Sequence, residues 1–305
     1  MPSLAHAVRT KGLRKTARRA LTLAARYGVT SGPMERNLRR LAALLAAQGV
    51  RGTLPVTAVP LRRHAAFLRD LSDQGIELAL HGYIHCDYAS ASSQRRRDHL
   101  VKGLGAFREA GLPPPGFRAP YLSWPEDGDG LLGSLGFPYN SSRTVHWPVL
   151  PPAEQNGAYA LALEHYRPRA GGESPCLPRL EDGLVDLPVS LPDDEMLIER
   201  LGLRDQGRIF SIWNAILQRT VHRGELFVLQ LHPERIPFAD QALVRLLREA
   251  KARGAWVAPL MEIARWWSRH EGRWPDGHPS AVAVTGDIDA MSLWDYAAMR
   301  WGADG

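Results

Sequence analysis

Cysteine is scarce: Cys86 and Cys176 are the two in 305 residues, too few for a disulfide framework, and neither sits in the paired CxxC spacing of a structural zinc site. A reducing compartment follows. Long apolar runs are missing too. No stretch approaches the roughly 20 residues that a membrane-spanning helix needs. The longest apolar run near the start, Ala20 to Ala25, is interrupted by Thr22 and is too short for the hydrophobic region of a signal peptide. These absences predict a cytoplasmic protein. There is also no internal repeat and no low-complexity tract, which sets aside repeat architectures.

Charge is present but uneven. The formal net charge of +6 is concentrated in Arg9, Lys11, Arg14, Lys15, Arg18 and Arg19, and again in Arg95 to Arg97. Such clusters attract phosphates or anionic lipid head groups, although solvated helix faces look the same. No aromatic residues interleave with the basic arm and no binding motif accompanies it, so nucleic acid is not an expected partner. A basic N-terminal helix over about residues 1–30 would still suit peripheral contact with the inner membrane face.

A chain of 305 residues fits one α/β barrel of roughly 200–250 residues with extensions, and a single domain over residues 1–305 is expected. Between residues 34 and 260 amphipathic segments of helical length alternate with short apolar or β-branched runs, usually divided by glycine, which is the signature of a parallel sheet. Helices are predicted over Met34–Gln48, His64–Gln74, Gln94–Ala110, Gln206–Arg223, Asp240–Arg253 and Met261–His270. Strands are predicted over Val50–Thr57, Ile76–Leu80, Gly116–Tyr121, Leu184–Val189, Glu225–Leu231, Trp256–Pro259 and Ala281–Thr285. Residues 147–183 hold six prolines and read as a surface insertion. The strand at 281–285 lies so near the C-terminus that it must pair with something upstream.

Four constellations carry chemistry. His81-Gly-Tyr-Ile-His85 directly follows a strand, and two imidazoles four residues apart converge on one metal if the segment turns helically; by chance the same spacing occurs on many helices. In Asp287-Ile-Asp289 strand alternation puts both carboxylates on one side and Ile288 on the other. One acid can then ligate a cation while the other serves as a base. The plain alternative is a solvated turn or helix cap after Gly286. Gly116-Phe-Arg-Ala-Pro-Tyr121 places Arg118 where it could grip a buried carboxylate through two hydrogen bonds, with Pro120 fixing the backbone beyond; otherwise Arg118 is a surface residue at a strand end. His232, before Pro233, ends another apolar strand and reads equally as a structural histidine. All four lie at the C-terminal ends of predicted parallel strands, the rim where barrel enzymes assemble their sites.

Together these residues resemble the NodB-homology polysaccharide deacetylases, carbohydrate esterase family 4, in the branch whose first motif is aspartate-x-aspartate. The resemblance spans most of the chain from about Leu38 onward. It implies an α/β fold, a distorted (β/α) barrel of the polysaccharide deacetylase type, and metal-dependent removal of acetyl groups from N-acetylated sugars, most often with Zn²⁺. It implies His81, His85 and Asp289 as metal ligands and Asp287 as catalytic base. Arg118 would orient that base, the Tyr121 backbone N–H would serve the oxyanion, and His232 would be the catalytic histidine of the last motif. The family opens with the aspartate motif, whereas this chain supplies it last, so the resemblance further implies a circular permutation. Tyr27 to Pro33, where a degenerate first motif would lie, contains no acid. The acid that tunes the last histidine is not placed; Asp186 and Asp194 are candidates. Tyr83, Tyr121 and Trp124 are candidates to stack on sugar, Trp124 equally a core residue. The expected partner is an N-acetylated sugar or glycoconjugate. Two readings compete with it: hydrolysis of a small non-sugar amide on the same scaffold, and a non-catalytic carbohydrate-binding module.

Overall fold

The leucine stripe that begins at Met34 dictates the first described helix. α1 (Gly32–Ala47) buries Met34, Leu38, Leu41, Ala42 and Leu45, one face at helical spacing, and Gly49 beyond its end takes the left-handed conformation, with φ +62°. This structure is a computed structural model, and it describes residues 22–24, 26–113, 115–173 and 175–301. Most of the expected basic N-terminal helix, and with it the proposed membrane contact, lies outside the described residues. No described helix is long and apolar enough to cross a membrane, and Cys86 and Cys176 are unpaired thiols.

After α1 come β1 (Thr53–Val56), α2 (Ala58–Arg63), α3 (Ala65–Asp73), β2 (Glu77–Leu80), α4 (Ser93–Glu109), α5 (Asp129–Ser134), β3 (Tyr139–Asn140) and β4 (Thr144–His146). The helix expected over His64–Gln74 is α3, and a further short helix, α2, precedes it, the two parted where His64 leaves helical geometry at φ −124°. Most of the strand expected over Gly116–Tyr121 is also absent. Phe117 alone bridges Leu80 and Asn140, and Pro120, which has no N–H for a ladder, opens a tight turn in which Tyr121 and Leu122 have φ of +59° and +53°.

Residues 147–183 are not merely a surface excursion. They contain α6 (Gly157–Tyr166), β5 (Arg169–Ala170) and β6 (Arg179–Glu181), β5 pairs in parallel with β4, and Trp147, Leu150, Tyr159 and Cys176 are buried. The prolines punctuate this segment without keeping its aromatic side chains out of the core. The strand expected over Leu184–Val189 is split into β7 (Leu184–Asp186) and β8 (Val189–Leu191) around Pro188. The chain continues through α7 (Gln206–Arg223), β9 (Leu226–Leu231), α8 (Ile236–Ala252), β10 (Trp256–Val257), α9 (Leu260–Trp267), β11 (Ala281–Gly286) and α10 (Leu293–Trp301). α8 starts four residues before its predicted Asp240, because Pro237 is at home in a first helical turn.

The main sheet runs β2-β1-β11-β9-β8-β4-β5, with β10 also on β11. Every residue of β9 and β11 is buried, as expected for parallel strands covered on both faces. They pair over their full lengths, from Ala281 beside Leu226 to Gly286 beside Leu231, and β11 meets β1 at Thr285 and Thr53. The last strand of the chain therefore lies in the middle of the sheet. From β2 the Phe117 bridges lead to β3, β3 pairs with β7, and β7 runs on into β8, which pairs with β9. Isolated bridges and the β7–β8 continuation thus link the two sheets in the manner of an open, distorted barrel. Because β2, β9 and β11 run in parallel, the residues following them emerge on one rim.

Packing beneath that rim is tight at Gly116, where an added Cβ would lie 2.0 Å from the ring of Tyr139. That ring is buried and its hydroxyl donates to Glu77 Oε1 at 2.6 Å, so it has no free direction in which to yield. Gly116→Ala is expected to destabilise the fold by about 1–3 kcal/mol, read as a lower urea midpoint at unchanged slope. An unaltered midpoint would show that the ring can move aside.

Candidate active site

His81 follows β2 immediately, and its backbone N–H donates to Val56 O at 2.9 Å. Its ring is turned by Nδ1, which donates to the Arg118 carbonyl at 3.0 Å. That assigns the proton to Nδ1 and leaves the Nε2 lone pair available. The segment to His85 does not turn helically as expected; Gly82 takes φ +79° with the Tyr88 ring against it, and a bend brings the second imidazole round. The ring centroids are 5.4 Å apart. Both Nε2 atoms face Asp289 Oδ1, His81 at 3.4 Å and His85 at 3.2 Å.

Asp289 arrives from the opposite end of the sequence. Beyond β11, Ile288 is buried, bridges Val56, and donates its N–H to Pro55 O at 2.7 Å. Asp287 and Asp289 therefore project to the other side together, as strand alternation requires. Thr57 Oγ1 donates to the Asp289 carbonyl at 2.7 Å. Burial alone would raise the Asp289 carboxyl, yet the facing His85 and His81 imidazoles and the Arg26 guanidinium hold it well below the usual carboxylate range. One ligand atom each from His81, His85 and Asp289 lies within 4.8 Å of the others. Two imidazole nitrogens and a carboxylate oxygen converging from one side suit a divalent transition-metal ion and leave further coordination positions free.

Asp287 is fixed beside them. Arg118 Nη1 donates to its Oδ1 at 2.8 Å, Gln230 Nε2 donates to its Oδ2 at 3.0 Å, and that Oδ2 is 3.9 Å from His81 Nε2. Arg118 is wholly buried. It does not fork onto Asp287 with two bonds: Nε reaches Ser141 O and Nη2 reaches Ser141 Oγ, both at 2.9 Å, while Nη1 also serves Thr285 Oγ1 at 2.7 Å.

His232 lies across the cleft at the end of β9. Of the two candidate acids, Asp194 is its partner: Oδ1 is 2.7 Å from Nδ1, and Oδ2 accepts the His232 backbone N–H at 2.6 Å. Asp186 instead pairs with Arg143 at 3.2 Å. Burial disfavours the imidazolium, but the Asp194 charge and hydrogen bond outweigh it, and His232 is pushed up to about 10. Beside it Asp193 is pushed up to about 7, by burial and by the Asp194 charge. The folded state therefore prefers protonated His232. Its contribution to stability is fully present below about 6.5, the unfolded value, and is lost as pH rises through about 10. Asp194→Asn removes the stabilising charge, so the His232 titration followed by NMR is expected to move to lower pH; an unmoved titration would show that Asp194 does not set it.

A cleft of about 670 Å³ contains His81, His85, Asp287, Asp289 and His232, with Leu161 and Tyr166 of α6 on its outer wall. Tyr121 lies at its mouth, 44% exposed, with its ring edge-on to His85 at 4.3 Å. Two sugar-stacking candidates are elsewhere. Trp124 packs on Phe117 at 4.8 Å and donates Nε1 to Asp129 at 3.1 Å, which makes it part of the core packing. Tyr83 is covered by Lys102 at 5.3 Å and Arg62 at 5.8 Å. Arg26, Tyr27, Gln230 and Glu195 line the cleft without having been singled out in the sequence. Gln230 was legible, since it shares a face with His232 two residues on; Arg26 and Tyr27 were not.

The family model for polysaccharide deacetylases matches residues 25–139, a range that contains both histidines and Arg118 but neither aspartate nor His232. Peptidoglycan deacetylase-like protein FGM2 of Gibberella zeae is 39% identical over 75 residues, 24% of this chain and 22% of that protein. The match therefore spans about a fifth of the curated relative's length. Among solved structures, one from Mycobacterium smegmatis assigned to the polysaccharide deacetylases superposes with a TM-score of 0.62 at 23% identity, covering 87% of this chain and 84% of the other. Another so assigned, from Pseudomonas aeruginosa, gives 0.61 at 19% identity over 78% and 74%. Puue allantoinase gives 0.61 at 18% identity over 78% and 74%. At these identities the superpositions establish the shared fold.

Proposed function

We propose that this chain, as a member of the NodB-homology polysaccharide deacetylases, hydrolyses the acetamide of an N-acetylated sugar or glycoconjugate in a metal-dependent reaction, releasing acetate and a free amine. The observation that carries this reading is the meeting of His81, His85 and Asp289 around one point, beside an Asp287 locked by Arg118. We further infer that β11 occupies the place of the family's first strand, a circular permutation; its position between β1 and β9 supports this. The two unpaired cysteines support a reducing, cytoplasmic setting.

His81, His85 and Asp289 would hold the ion, most naturally Zn²⁺ given two nitrogen donors and one oxygen. When bound, such an ion polarises the acetyl carbonyl and lowers the pKa of a water. Asp287, held with Oδ2 facing His81, accepts the proton of the attacking water. The Tyr121 backbone N–H donates to the oxyanion, worth about 3–4 kcal/mol when well placed. The C–N bond then breaks, and His232, kept charged by Asp194, gives its proton to the departing amine. The alkaline limb of activity thus follows His232, and Asp194→Asn shifts it to lower pH; the ion's charge acts alike on both proteins and leaves that direction unchanged.

The substrate class is tested by comparing acetate release from N-acetylated sugars of increasing length with turnover of a simple acetamide and a small cyclic ureide by the zinc-loaded protein. Release from the sugars alone supports the proposal. Turnover confined to the small amides would replace it with a non-sugar amidohydrolase.

A further inference from the structure

Asp289 offers two oxygens, and rotation about its last bond would exchange them. Oδ1 faces the two imidazoles. What holds Oδ2 comes from an unexpected part of the chain: the Tyr27 hydroxyl donates to it at 3.1 Å and Arg26 Nη2 at 3.2 Å, across sequence separations of 262 and 263 residues. Tyr27 is 3% exposed, and its ring belongs to the hydrophobic core, so the hydroxyl is delivered from a fixed platform. Arg26 lies over that ring at 4.8 Å and is anchored by Glu234 Oε1 at 2.6 Å. The same segment is tied to the chain just past Asp289, where Leu293 N–H donates to Gly28 O at 2.9 Å.

We propose that Tyr27 is a positioning residue for the metal ligand Asp289: by holding Oδ2 it turns Oδ1 towards His81 and His85 and so sets metal affinity. This rests on the assignment of those three residues as the metal site. A phenol hydroxyl facing an ionised carboxylate can only donate, so the contact is directional, and a hydrogen bond that orients a ligating group is commonly worth 10–100-fold in metal affinity. Asp289 lies beyond the end of β11, and besides Tyr27 only Arg26, itself tied to Glu234, reaches Oδ2, while the imidazoles face Oδ1 and Thr57 holds the backbone.

The test is competition for Zn²⁺ between a chromophoric chelator and the metal-stripped full chain, for the wild type, Tyr27→Phe, Asp289→Asn and the double variant. Tyr27→Phe keeps the buried ring and removes one oxygen; far-ultraviolet circular dichroism and the thermal midpoint of the metal-free proteins check that the fold is retained. The expected result is roughly 10-fold or greater weakening by Tyr27→Phe in the wild-type background. In the Asp289→Asn background, where the two histidines still bind zinc weakly, no further weakening is expected, because the group being positioned has changed. Unaltered affinity in Tyr27→Phe overturns the inference and leaves the metal site standing. Equal weakening in both backgrounds also overturns it, since the hydroxyl would then act through packing. A wild type that binds no zinc overturns the metal site itself.

Discussion

Asp289→Ala is expected to leave the protein without a stoichiometric divalent ion at micromolar zinc and to lower turnover of an N-acetylated sugar at least about a thousandfold. A bound ion contributes several kcal/mol of charge stabilisation in the transition state, and each 1.36 kcal/mol lost is tenfold in rate. The substitution removes the carboxylate that both histidines face and leaves two neutral imidazoles, too few to define the site. The fold should survive, because Arg26 retains Glu234 and Ile288 still docks on β1. Metal content by elemental analysis and circular dichroism of the same sample check both halves. A variant with full metal content would remove Asp289 from the site.

Asp287→Asn is expected to separate binding from chemistry. The amide keeps the shape of the side chain and can still hydrogen-bond, but it cannot accept a proton from water, and loss of a positioned base is worth about 10²–10⁴-fold in kcat. Zinc affinity should change little, since Asp287 is outside the proposed ligand set. Stability should fall as well. Arg118 is wholly buried and Asp287 is its carboxylate partner, and an uncompensated buried charge costs about 3–5 kcal/mol. A urea titration reads that loss directly. Normal turnover with normal zinc would assign the proton to another acceptor.

The two substitutions probe residues whose legibility in sequence had a physical basis. Asp287 and Asp289 follow a fully buried strand with period-two spacing, so their shared direction can be stated from the sequence. His81, Arg118 and His232 likewise stand where strands end. The sequence did not say how these ends would be joined. The bend at Gly82 has Tyr88 lying against the glycine, and Arg118 contacts Asp287 through one nitrogen while its Nε and Nη2 turn to Ser141. These are tertiary facts without a periodic signature. Asp194 and Asp186 looked equivalent until folding set one against His232 and the other against Arg143. Tyr83 and Trp124 went astray for a related reason: an aromatic near a motif carries no mark of which way it points, and both are covered from sides that the sequence does not place. Arg26 and Tyr27 carry no sequence signal of their role, because their stretch supplies no acid and contributes instead two donors to a distant one.

The most direct test of the central claim is acetate release from an N-acetylated sugar by metal-stripped protein, before and after zinc is restored, with Asp289→Ala alongside. Release that is absent without metal, returns with zinc, and stays absent in the variant is the predicted result. Zinc that fails to bind the wild-type chain, or binding that is indifferent to Asp289→Ala, would contradict it and place the C-terminal aspartates outside the chemistry.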